Sequence, residues 1–70
     1  MTPRKFWTMC RLHDWTYMYS DDREAYRNGK EENEALINAA LSNPELMAIY
    51  HAWEGYHFRC EAKPPEPKMD

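Results

Sequence analysis

An all-α fold, a small three-helix bundle followed by a proline-rich tail, is what this sequence predicts, and three observations carry the expectation. Only two glycines occur and long β-branched runs are absent, which counts against a sandwich, a barrel or a glycine-rich phosphate loop. Helix-start signals recur at Thr2-Pro3, Ser20-Asp21-Asp22 and Asn43-Pro44. Apolar residues make up 43% of the chain and charged residues 30%, a balance that folds rather than stays disordered. Seventy residues allow one domain, here 1–60, with 61–70 as a flexible tail. A chain of this size buries only about 60% of its unfolded surface, so its core is thin.

The first helix opens with Thr2 as cap and Pro3 at the first helical position, and is expected over about 3–18. The second is expected over 21–42, with serine to cap its free amides and two aspartates suited to the positive end of the helix dipole. Asn28-Gly29 could end it, but the helix formers from Glu31 to Leu41 favour continuation, at a cost of about 1 kcal/mol for an interior glycine. Asn43-Pro44 opens the third, expected over 44–58. The run Lys63-Pro64-Pro65-Glu66-Pro67-Lys68 cannot be helical and has nothing evident to bury, so a disordered tail is expected there.

Charge narrows the partners. The formal net charge is −3, and Leu12 to Glu34 holds seven acidic against three basic residues. Phosphate neutralisation supplies most of a nucleic-acid binder's affinity, so direct nucleic-acid binding is disfavoured. No stretch approaches the ~18 consecutive apolar residues of a membrane span. The charged amino terminus is not followed by an apolar stretch, and Cys10 and Cys60 are too few for a disulfide scaffold. A soluble, cytoplasmic protein with reduced thiols is expected, without membrane contact; a single Cys10–Cys60 bridge, tying the first helix to the start of the tail, is the alternative.

Ten aromatics in seventy residues are a surplus for so thin a core. At 100° per residue, Leu46, Ile49, Tyr50, Trp53 and Tyr56 share one arc of the third helix, suited to cover the small side chains Ala35, Ala39 and Ala40 beside Leu36. Phe6, Met9, Cys10, His13 and Tyr17 share the inner face of the first helix, leaving Trp7, Arg11, Trp15 and Met18 on its other side. Either Trp15–Tyr19 leaves the helix and covers the core as a turn, or these aromatics form a binding or homodimer face. On the second account the partner-binding residues are Trp7, Arg11, Trp15, Met18, Tyr19, Asp21, Asp22 and Glu24.

Catalytic chemistry is not legible. Cys10, His13 and Asp14 could in principle activate a thiolate, but neighbours on one helix seldom converge on a substrate, and no glycine-rich turn supplies an oxyanion hole. His51 and His57 are separated by about 9 Å of helical rise, too far for one ion to take both readily. The reading is a non-enzyme with no metal and no cofactor.

The stretch His13-Asp14-Trp15-Thr16-Tyr17-Met18-Tyr19-Ser20-Asp21-Asp22, followed by Tyr26 and Gly29, resembles a pattern in short phage and prophage open reading frames. It spans residues 12–30 and departs from the pattern at Thr16, where a second aromatic is common, and at Tyr26, where tryptophan is. The resemblance implies a helical protein of phage or mobile-element origin. Together with the aromatic surplus, it leads to the expected function: a non-catalytic module that binds a host protein. Such a module would inhibit a defence component, of the CRISPR–Cas or restriction type, by occluding a surface. A structural or regulatory homodimer is the alternative.

Overall fold

The computed structural model describes residues 1–68, and three helices and one 3-10 turn make up its regular structure: α1 (Pro3–Leu12), η1 (Tyr17–Tyr19), α2 (Arg23–Ala40) and α3 (Pro44–Phe58). Among the described residues there is no strand, and no helix is long and apolar enough to cross a membrane. The three-helix bundle expected from the cap signals is the observed architecture.

Each start is built by its cap. Thr2 Oγ1 accepts the Lys5 amide at 3.2 Å, and Pro3, whose nitrogen carries no hydrogen to leave unpaired, opens α1. Asn43 Oδ1 accepts from Glu45 and Leu46 at 3.1 and 3.4 Å and starts α3 where expected. The cap of α2 is Asp22, whose Oδ1 takes the amides of Glu24 and Ala25, so that helix begins at Arg23 rather than 21. Ser20 is the residue before this cap; its Oγ accepts the Asp22 amide at 3.2 Å.

The first helix stops six residues short of the expected 18. Asp14 Oδ1 accepts both the amide and the hydroxyl of Thr16, at 2.9 and 2.8 Å, an Asx turn that draws the chain out of helical geometry. Trp15 then folds back, and its indole N–H donates to the Cys10 carbonyl at 2.8 Å, capping the carbonyl end of α1. The turn account of Trp15–Tyr19 is therefore the observed one.

The core gathers Phe6, Trp7 and Cys10 of α1, Trp15 of the turn, Leu36 and Ala40 of α2, and Leu46, Tyr50 and Trp53 of α3. The expected alanine strip is only half used, since Ala40 is buried while Ala35 is exposed. Trp53 meets Trp7 edge-on at 5.2 Å, so α3 is keyed to α1 by its largest ring. Tyr56, expected inside, is 39% exposed at the rim.

The tail is non-helical, as its prolines dictate, yet it does find something to bury. Pro64 is buried, and its carbonyl accepts the Trp7 indole N–H at 3.2 Å, while Arg4 Nε meets Glu66 Oε1 at 3.3 Å. The expectation of a tail with nothing to bury is thus corrected at Pro64, whose carbonyl the Trp7 indole supplies with a donor. Met69 and Asp70, the last residues of that expected tail, lie outside the described residues.

Gly29 shows how close the turn lies to α2. It is buried inside the helix, and a Cβ built on it would overlap the Cβ and ring of Tyr17. Gly29→Ala ordinarily gains about 1 kcal/mol in a helix interior. Here it should instead cost about 1–3 kcal/mol through overpacking, because the Cβ of Tyr17 cannot rotate away. Urea denaturation of the variant beside wild type gives the sign directly.

Candidate functional site

The expected partner-binding residues divide into two groups. Trp7 and Trp15 are interior: Trp7 is 6% exposed and Trp15 3%. Their assignment to a binding face is corrected by the same facts that end α1, since the face opposite Phe6 is covered by the tail and Trp15 turns inward. Arg11 stays exposed, its guanidinium 5.9 Å from the Trp7 ring centre, where it covers that ring as a cation–π partner.

Met18, Tyr19, Asp21, Asp22 and Glu24 are all exposed and contiguous along η1 and the first turn of α2. Tyr19 reaches 72% exposure and Met18 44%, because the 3-10 turn presents them outward while Tyr17 packs beneath. Beside them an open groove of about 520 Å³ is lined by Ser20, Asp21, Arg23, Glu24, Tyr26 and Arg27. Asp22 already has a structural duty as the α2 cap, which leaves Asp21 and Glu24 as the free carboxylates of the patch. Arg23, Tyr26 and Arg27 were missed in the sequence reading. Their spacing of three and four residues was the available signal, since it places them on one helical face. Tyr26 is backed by Tyr17, the ring centres lying 5.9 Å apart.

A second, smaller groove of about 260 Å³ lies between α1 and α2, lined by Met9, Leu12, Glu32, Ala35 and Leu36. At its edge the fully buried His13 side chain directs Nδ1 to Glu32 Oε1 at 2.5 Å. The carboxylate only accepts, so this nitrogen carries the proton. Glu32 therefore serves the interior from an exposed position.

The residues of the conceivable thiol relay go separate ways. Burial pushes the Cys10 thiol up to about 12, so it is held protonated. His13 faces Glu32, and the Asp14 carboxyl lies below its ordinary value because the Thr16 hydroxyl and amide donate to it. Cys60 is exposed and Cys10 buried, and both are free thiols. His51 pairs with Glu54 at 3.2 Å, whereas His57 stacks between Trp15 and Trp53, with ring centres at 5.6 and 5.9 Å. What this arrangement does chemically is to store aromatic surface and to expose a mixed-charge patch.

Family models, curated proteins and solved structures give no match to this chain. The site stands on its own geometry.

Removing only the indole donor tests the cap on α1. Trp15→Phe keeps an aromatic ring against His57 and should lower stability by about 1–2 kcal/mol, read from the denaturation midpoint. His57 gives a pH signature. Burial, and secondarily the nearby His13, hold its imidazole below the ordinary 6.5, so the unfolded chain binds the proton first as pH falls. Its contribution to stability is complete above 6.5 and declines as pH drops through the window down to the lowered native value. The melting temperature should therefore fall as pH drops below the ordinary 6.5, and His57→Phe should flatten that slope.

Proposed function

We propose that this chain is a non-catalytic protein-binding module that docks through η1 and the first turns of α2. The observation that carries the reading is Tyr19, 72% exposed and flanked by Met18 and Tyr26, beside a groove holding both carboxylates and guanidinium groups. Large amphipathic rings ringed by charge are the residues that dominate protein interfaces. The acidic surplus of residues 14–34, seven acidic against three basic groups and lying largely beyond the mixed-charge groove, supports a partner whose surface around the docking face is basic. The resemblance of residues 12–30 to short phage reading frames supports a host-defence component as that partner, of the CRISPR–Cas or restriction type, with its nucleic-acid-binding surface occluded in the cytoplasm of the host cell.

Capture from host lysate, quantified by mass spectrometry, tests this with three baits. Wild-type protein should enrich a specific partner. Tyr19→Ala should lose at least tenfold of that enrichment at an unchanged melting temperature, as an interface anchor of about 2 kcal/mol or more does. Leu12→Ala, in the separate α1–α2 groove, should retain it. Equal capture by the Tyr19 variant would sink the docking face. A concentration-dependent dimer in light scattering, with nothing captured, would move the assignment to a homodimer.

A further inference from the structure

The carboxyl-terminal segment is seated as a ligand would be. After α3 the Arg59 and Glu61 amides both donate to the Gly55 carbonyl, at 2.9 and 3.2 Å, and Cys60 takes a left-handed φ of 55° that turns the chain back toward α1. The Glu61 carboxylate and the Arg59 guanidinium lie directly over Gly55 at this reversal. Beyond it, Pro64 is buried, Pro65 and Glu66 are exposed, and Pro67 is half-buried. The three-residue step from Pro64 to Pro67 matches the period of a polyproline II helix, which has no internal hydrogen bonds and leaves its carbonyls free. One of those carbonyls, that of Pro64, takes the Trp7 indole N–H. Trp7 is itself held edge-on against Trp53 at 5.2 Å, so the indole that receives the segment sits on a fixed ring. Arg4 reads the carboxylate of Glu66 at its flank. An aromatic surface, an indole donor and a cation beside a Pro-x-x-Pro segment are the parts from which recognition of proline-rich peptides is built.

We infer that the Trp7 face of α1 is a recognition site for Pro-x-x-Pro segments bearing a carboxylate before the second proline, and that residues 63–68 are its occupant in cis. The occupant in trans is such a segment on another protein. The strap is held by one neutral hydrogen bond, one half-exposed ion pair and the burial of a proline ring, and its advantage is that it is tethered. A partner segment offering the same groups competes with it once the strap is weakened or the local concentration is high. This surface lies on α1 and the end of α3, apart from the η1 patch, so the inference stands or falls independently of the docking face proposed above.

The test uses the full chain carrying Pro64→Gly and Pro67→Gly, with a capped synthetic peptide of sequence Lys-Pro-Pro-Glu-Pro-Lys as probe. The readout is the indole N–H resonance of Trp7, assigned through Trp7→Phe. The peptide should shift that resonance in the variant at a concentration about tenfold lower than in wild type, where the tethered strap competes. A peptide with alanine in place of its first and last prolines should not shift it. The single variant Glu66→Lys keeps every proline and guards against a loss of folding; peptide should shift its Trp7 resonance at several-fold lower concentration than in wild type. The inference is overturned if peptide and alanine peptide act alike, or if wild type and the Glu66 variant respond at the same concentration. It is equally overturned if the weakened chains exchange straps as dimers in light scattering, since a second copy is then the occupant.

Discussion

The hydrogen bond from the Trp15 indole to the Cys10 carbonyl organises the molecule. It lies five residues ahead of its acceptor, so it can form only if the chain leaves the helix and doubles back. Doubling back does three things together. It gives the Cys10 carbonyl, which the His13 amide reaches only at 3.3 Å, a second and shorter hydrogen bond, it carries a large ring into a thin core, and it sends η1 across α2. Gly29 then becomes a steric necessity, because Tyr17 occupies the volume any other side chain would claim.

From that bond an unbroken series of ring contacts crosses every element. Trp7 meets Trp53, Trp53 and Trp15 each stack on His57, Trp15 meets His13, and His13 leads through Tyr17 to Tyr26 on α2. A small domain has too few aliphatic side chains for a deep core, and here stacked rings supply the buried area instead. His57 joins this series from the exposed side, and partial desolvation against the two indoles holds its imidazole below the ordinary value. The aromatic surplus is thus mostly structural. What remains outside is Tyr19 and Tyr26, with Tyr56 and Phe58 at the rim.

Much of the fold was legible in local chemistry. Asn43-Pro44 located the start of α3, and Thr2-Pro3 that of α1, because a cap and a proline act on their immediate neighbours. The end of α1 was not legible, since Asp14-Trp15-Thr16 is compatible with helix by periodicity. Its Asx turn prevails only once Trp15 has the Cys10 carbonyl to reach and a core to enter. The candidate site divides the same way. Met18, Tyr19, Asp21 and Glu24 could be placed outside because they surround a strong helix start. Trp7 could not be placed inside, because its cover comes from Pro64, fifty-seven residues away.

The sequence by itself therefore determined the starts of α1 and α3, the all-α class, the acidic character of residues 14–34 and the non-helical tail, all of which follow from interactions within a few residues. Tertiary structure alone decided which tryptophans are buried, why Gly29 stands in a helix, and where the proline segment rests. Those outcomes depend on rings and carbonyls brought together from distant parts of the chain, and pattern along one helix carries no information about what arrives from elsewhere to cover it.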